Sequence, residues 1–287
     1  METLKPWFKG IQLSPDRSAK IIQGTPLVEF GLVETGRYEL DGESVVCLST
    51  QVGCAMNCDL FCKSAGGFIK NLRAAEIALQ AERALEEIPL PKDSKGIVFS
   101  FMGTGEPFAN LDNVKLSTRL LGEIYPASRA TISTIGINLP AIYELADEVA
   151  VGFYPIPLKL HISLHAPNDL LRKKIIPYGQ NISDTLDAAE YFAQRTGTKV
   201  KLNYVLMKDV NDSETNAREL GALLKQRRGL VLKVSDLNGN PNLYVPDYVA
   251  DRFAKKVEDY GIEVLRFKSK GQDVLAGCGQ FLRRAIE

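Results

Sequence analysis

This 287-residue sequence is short of histidine, has no net charge and contains no long apolar run. Each shortage narrows what the protein can be. The only histidines are His161 and His165, far along the chain from its cysteine cluster, so a zinc site of mixed Cys and His at ligand spacing is poorly supplied. No apolar stretch approaches the roughly 20 residues of a membrane-spanning helix. Lys5, Lys9 and Asp16 interrupt any apolar segment after Met1, so no secretory signal is visible, and a reducing cytoplasm is expected. Lysine plus arginine and aspartate plus glutamate are equal at 35 each. A nucleic-acid-binding chain commonly carries a basic excess, so any such contact must come from local patches. The candidates are Arg172-Lys173-Lys174, Arg227-Arg228, Lys255-Lys256 and Arg283-Arg284, and the simpler reading of each is a solvated helix end. Low-complexity tracts and internal repeats are also missing.

What is present is a cysteine cluster. Of five cysteines, four lie in the stretch Cys47–Cys62, at Cys47, Cys54, Cys58 and Cys62; the fifth is Cys278, in Ala276-Gly277-Cys278-Gly279-Gln280. Three thiolates on one short loop can hold three irons of a [4Fe–4S] cluster and leave the fourth iron open to a small molecule. A structural zinc ion would want a fourth ligand nearby. Disulfides would want an oxidising compartment and a smaller, denser chain. The iron–sulfur reading is preferred, zinc comes second and disulfides third.

Short β-branched or apolar runs predict strands at Ser44–Ser49, Gly96–Met102, Ala130–Thr134, Leu158–Leu164, Lys199–Leu206, Leu230–Ser235 and Glu263–Arg266. Between them, helical periodicity marks Ala74–Glu87, Asp112–Ile124, Ala141–Val149, Ser183–Gln194, Ser213–Gln226 and Val249–Tyr260. Ser183-Asp184 and Asp212-Ser213 read as helix caps. Repeated strand–helix units imply an α/β protein with a parallel sheet. About six units are too few for a closed eight-fold barrel but suffice for an open, partial (β/α)6 barrel. Residues 44–236 form that barrel, with 1–43 and 237–287 as short N- and C-terminal extensions. Functional residues should then lie at the C-terminal strand ends, where the cysteine loop falls.

After the second strand comes Met102-Gly103-Thr104-Gly105-Glu106-Pro107. Its glycines allow a ligand close to the backbone, and Glu106 could accept hydrogen bonds from an ammonium group. The third strand ends in Ser133-Thr134-Ile135-Gly136. In the fourth, His161, Ser163 and His165 share one face, either as a polar barrel lining or as groups that satisfy a strand end.

Taken in order, the Cys47–Cys62 stretch, Gly-Thr-Gly-Glu-Pro, Ser-Thr-Ile-Gly, Ser-Leu-His-Ala-Pro-Asn-Asp (163–169), Val-Asn-Asp-Ser (210–213) and Ala-Gly-Cys-Gly-Gln resemble the RlmN/Cfr family of radical S-adenosylmethionine (SAM) methyltransferases. The resemblance runs from about Val33 to the end and implies a radical SAM partial barrel. It implies Cys54, Cys58 and Cys62 as cluster ligands, and Gly105 and Glu106 as contacts to the methionine part of SAM. The resemblance implies Ser133, Ser163, Leu164, His165 and Asn238 as further SAM-site positions. Cys278 resembles the cysteine that is itself methylated, Cys47 the second catalytic thiol and Glu34 a proton acceptor.

The implied reaction methylates carbon 2 of adenine in ribosomal or transfer RNA. That carbon is electrophilic, so direct methyl-cation transfer from SAM would fail. One SAM methylates Cys278, and a second, cleaved reductively, gives a 5′-deoxyadenosyl radical that takes hydrogen from the Cys278 methyl group. The resulting methylene radical adds to the base, and Cys47 releases the product by forming a disulfide with Cys278. An electron donor such as flavodoxin or ferredoxin is implied, and no membrane. Two departures from the family stand out. The cluster spacing is C-x3-C-x3-C in place of C-x3-C-x2-C, while the following Lys63–Gly67 is one residue shorter, so the loop can compensate. Too few residues precede Glu34 for the accessory domain associated with RNA binding. The alternative is therefore the same chemistry on a nucleotide, peptide or small molecule; a metal-binding module without catalysis is a third reading.

Overall fold

A computed structural model describes residues 8–15, 19–24, 33–58, 60–62, 67–86, 90–91, 93–270 and 280. The chain starts with an antiparallel run, β1 (Phe8–Leu13), β2 (Ala19–Gly24), β3 (Val33–Leu40) and β4 (Glu43–Cys47). A minimal antiparallel pair, β5 (Gln51–Val52) and β6 (Lys70–Asn71), closes the cysteine loop. Strands and helices then alternate: α1 (Ala74–Glu86), β7 (Ile97–Phe101), α2 (Leu111–Ile124), β8 (Arg129–Thr134), α3 (Leu139–Ala150), β9 (Leu158–Ser163), α4 (Asp169–Ile175), α5 (Ile182–Thr196), β10 (Val200–Leu206), α6 (Glu214–Leu224), β11 (Leu230–Asp236), α7 (Asp247–Glu258) and β12 (Val264–Phe267). The main sheet is ordered β1-β2-β3-β4-β7-β8-β9-β10-β11-β12. From β4 onward every neighbouring pair is parallel. This is the expected α/β partial barrel, its six strands β4 and β7–β11 each followed by helix, with β12 at the far edge. No helix among the described residues is long and apolar enough to cross a membrane.

Strand alternation divides the sheet into two faces. Val46, Leu48, Phe99, Phe101, Ile132, Leu160, Ile162, Leu202 and Leu232 point to the helices, where Ile77, Ala81, Leu145, Leu186 and Phe192 bury them in the main core. Each such side chain contributes about 1.5–3 kcal/mol on burial. The register sets the other face: Cys47 pairs with Ser100, Ser100 with Thr131, Thr131 with Lys159; Ser133 pairs with His161 and His161 with Lys201; Ser163 pairs with Asn203 and Asn203 with Lys233. The concave face is thus polar across its middle strands. His161 and Ser163 do lie on it, as strand alternation predicts.

The local signals are partly redistributed. Ser213 caps α6 in a reciprocal capping box with Asn216. The cap of α5 is Asn181, whose side chain accepts from Asp184 N at 2.9 Å, and not Ser183-Asp184. Asn181 precedes a helix that begins earlier than the apolar periodicity suggested. The sequence pattern also predicts no helix at α4, which is only two turns long and is started by Asn168. Consequently Arg172 is not a solvated helix end. It is 1% exposed, because it turns inward from α4, while Lys173 and Lys174 remain outside.

Candidate active site

The cysteine loop leaves β4 and is anchored to the turn after β7. Thr50 N and Gln51 N donate to Thr104 O at 2.9 and 3.2 Å, and Glu106 N donates to Gln51 Oε1 at 3.0 Å. The anchoring needs glycine twice. Gly53 has φ +69°, and a Cβ there would lie 1.6 Å from Gly67 O. Gly105 has φ +107°, and a Cβ there would meet Thr50 Oγ1 and Gln51 Cβ at 2.7 Å. Within the loop, Cys62 N donates to Cys58 O at 2.9 Å. Cys54, Cys58 and Cys62 all face one cavity. Burial pushes the Cys54 thiol up, and the Glu106 carboxylate adds to the effect, so its thiolate needs an electropositive partner.

Glu106 is the polar centre of the opposite wall. Its carboxylate accepts from Thr134 Oγ1 at 2.6 Å, Ile135 N at 3.1 Å and Phe108 N at 3.0 Å. Burial outweighs these bonds and raises its pKa to about 7. Arg172 fixes the neighbouring strand ends by donating to the carbonyls of Ile135 (2.7 Å), Ser163 (2.8 Å), Leu164 (2.6 Å) and Gln180 (3.2 Å). Burial brings its pKa down to about 10, which leaves it charged at neutral pH. His165 has φ +56° and accepts from Val205 N at Nδ1, 3.1 Å, so the hydrogen-bond network assigns its proton to Nε2. Burial and the Arg172 charge lower its pKa to about 3; it is a neutral imidazole packed edge-on to Phe61.

Counting its open mouth, the cavity has about 990 Å³ of atom-free space, within the size of small-molecule cofactor sites. Its wall brings together Cys54, Cys58, Cys62, Gly105, Glu106, Ser133, Ser163, His165 and Asn238. The Leu164 side chain turns the other way, into the main core. Cys47 and Glu34 are not part of the wall. Cys47 is buried on the concave face with Tyr38, Val45 and Val98, its Sγ 3.9 Å from the Tyr38 hydroxyl. Glu34 is buried on β3, its carbonyl accepting from Ser49 Oγ at 2.6 Å. Cys278 lies outside the described residues. Thr134, Arg172 and Asn203 are site residues that the sequence reading missed. Asn203 could have been found, since it is a polar residue at the inward parity it shares with Lys201.

The sequence profile of the radical SAM superfamily matches residues 48–221. The probable dual-specificity RNA methyltransferase RlmN of Dictyoglomus thermophilum is 36% identical over 262 residues, covering 86% of this chain and 71% of the relative. The chain belongs to the RlmN family of radical SAM methyltransferases. The dual-specificity RNA methyltransferase RlmN of Francisella tularensis subsp. novicida is 35% identical over 86% of this chain and 69% of its own. A radical SAM methyltransferase from Sphaerobacter thermophilus superposes with a TM-score of 0.84 at 30% identity, over 95% of this chain and 80% of that one. The RlmN family uses a [4Fe–4S] cluster and SAM, and the residues fit both. Among the described residues no group of three His, Cys, Asp or Glu side chains is gathered closely enough to hold a single metal ion. A cluster takes each thiolate on a different iron. Ser133 Oγ and Asn203 Oδ1 are buried without a hydrogen-bond partner among the described residues, and both line the cavity, ready for a polar ligand.

Deeper on the concave face, His161 Nδ1 is buried and has no hydrogen-bond partner among the described residues. Burial, then the charges of Lys233, Lys201, Lys159 and Arg129, hold its pKa well below the usual 6.5. The unfolded chain therefore takes up a proton that the folded chain refuses. His161 contributes no pH dependence above about pH 6.5 and destabilises the fold progressively below it, by at most about 1.4 kcal/mol per pH unit. Urea denaturation of His161→Gln should show a smaller stability loss between pH 7 and pH 5 than wild type. Equal losses would refute this account.

Proposed function

We propose that the chain methylates an adenine carbon, carbon 2, in ribosomal or transfer RNA, with Cys278 as methyl carrier. The observation that carries the reading is the cavity at the C-terminal strand ends, where three cysteines face Glu106, Ser133, Ser163, His165 and Asn238. It is supported by relatives of 36% identity that are named RNA methyltransferases. Cys54, Cys58 and Cys62 would hold the cluster. When bound, the cluster supplies the electron, from a donor such as flavodoxin or ferredoxin, that cleaves SAM reductively. Glu106 would accept the ammonium of SAM, with Gly105 keeping the backbone clear. Ser133, Ser163, Leu164 through its backbone, His165 and Asn238 would orient the rest. Cys278, on the C-terminal extension (237–287), would carry the methyl group as a thioether. Glu34 accepts the proton from the base carbon. Cys47 attacks the Cys278 sulfur and so frees the product. An oxygen-sensitive cluster suits a reducing cytoplasm.

Peptide mass spectrometry of the Cys278 segment, on protein from iron-replete cells, is expected to show one added methyl group. Cys278→Ala should abolish RNA methylation while SAM cleavage stays measurable. Normal methylation by that variant, or an unmodified Cys278 in protein shown to contain its cluster, would sink the methyl-carrier reading.

A further inference from the structure

The concave face has a second polar feature, which begins at Lys233 in the cavity wall and runs away from the cysteines. Arg129 on β8, Lys159 on β9, Lys201 on β10 and Lys233 on β11 come from adjacent parallel strands. Register puts all of them on the inward side: Thr131, two residues after Arg129, pairs with Lys159; Lys201 pairs with His161; Lys233 pairs with Asn203. Each is only partly buried. They face one another closely enough that Lys201 is shifted down, by burial first and then by Lys159 and Arg129.

Acidic compensation is one-sided. Glu43 binds Arg129, with Arg129 Nε 2.9 Å from Oε1, and acts only through space on Lys159 and, with Asp41, on Lys201. Lys233 Nζ lies 3.5 Å from the centre of the Phe267 ring. Among the described residues, Lys159 and Lys201 make no hydrogen bond or ion pair. Like charges lined up on a concave surface repel one another. In a chain with zero net charge, such a cluster is best explained by an anionic ligand that spans it.

We propose that Lys159 and Lys201, flanked by Arg129 and Lys233, form a ladder that binds the phosphodiester backbone of the RNA substrate next to its target base. The inference rests on the RNA reading above. Lys233 itself lines the cavity; Asn203, also in the wall, lies two residues further along its strand than Lys201, about 6.6 Å, and Ser163 four residues further than Lys159, about 13 Å. A base in the cavity therefore keeps its own strand within reach of the lysine stems. The ladder reads charge and not sequence: phosphate contacts position a nucleic acid, while the cavity selects the base. It would give a chain of zero net charge the local positive surface that RNA binding needs.

The test is fluorescence anisotropy of an unmodified transfer RNA transcript with holoenzyme, over a series of salt concentrations. Lys159→Gln/Lys201→Gln should weaken binding about tenfold or more near 0.1 M salt. It should also lower the slope of log K against log salt by about 1.4–1.8, or 0.7–0.9 per lost phosphate contact. Lys159→Arg/Lys201→Arg should bind like wild type. Wild-type affinity and slope in the glutamine variant overturn the ladder alone. An arginine variant as weak as the glutamine variant, both folded by circular dichroism, overturns it too, because the loss would then not come from charge. A wild-type holoenzyme without RNA affinity overturns the RNA reading and the ladder with it.

Discussion

An Arg172→Met chain is expected to be less stable by about 3–5 kcal/mol and to lose SAM affinity with that stability. Arg172 makes its hydrogen bonds to backbone carbonyls and to no carboxylate: Ile135, Ser163, Leu164 and Gln180. Two of these, Ser163 and Leu164, belong to the end of β9, and Ile135 follows β8. The guanidinium therefore spans two strand ends that no sheet hydrogen bond can join at that level. Methionine keeps the apolar stem but leaves the carbonyls without donors, at about 1–3 kcal/mol for each that stays dry. The strand ends would splay, and Ser133, Ser163 and His165 would lose their common geometry. Arg172→Lys should recover only part of the loss, since an ammonium cannot reproduce a planar fork with divergent donors. Chemical denaturation and a SAM titration on the same samples check both halves. A stability change under about 1 kcal/mol would mean that the carbonyls find other partners.

Arg172 also marks where the sequence stops being legible. The parallel strands and most helices could be read because each is a local apolar pattern, bounded by Gly, Pro or charge. The cysteine loop and the Gly-Thr-Gly-Glu-Pro turn could be read as motifs. Arg172 could not, because in sequence it heads a basic triplet like any solvated helix end; only the fold shows that it points inward. The ladder stayed hidden for a related reason. Its cations are isolated within apolar strands, as in Leu158-Lys159-Leu160, and become neighbours only when the strands align. The signal was the inward parity of those lysines, the same parity that linked His161 to Ser163. Leu164 shows the converse: family resemblance marks the residue, but its side chain packs against helices and only its backbone reaches the strand end.

Glu106→Gln is expected to weaken SAM binding by about 10- to 100-fold, the worth of one charge-assisted hydrogen bond at about 1.5–3 kcal/mol. Glutamine keeps the shape, and its carbonyl oxygen can still accept from some of the donors now shared by Thr134, Ile135 and Phe108; what it loses is the negative charge. Glu106→Ala should add a loss of fold stability, because it leaves two backbone N–H groups and one hydroxyl unsatisfied at a buried position. The pH dependence separates charge from shape. Burial raises the Glu106 pKa to about 7, so without ligand the carboxyl is about half protonated near neutrality. A ligand ammonium binds only the ionised form. Wild-type SAM affinity should therefore rise as pH increases from 6 to 8, as protons leave Glu106, and level off once it is fully charged. In Glu106→Gln that rise should vanish, leaving a flat and weaker profile. An unchanged slope in the variant would assign the titration to another group and remove Glu106 as the ammonium acceptor. A lost slope with unchanged affinity at pH 8 would show that the carboxylate titrates in the site without holding the ligand.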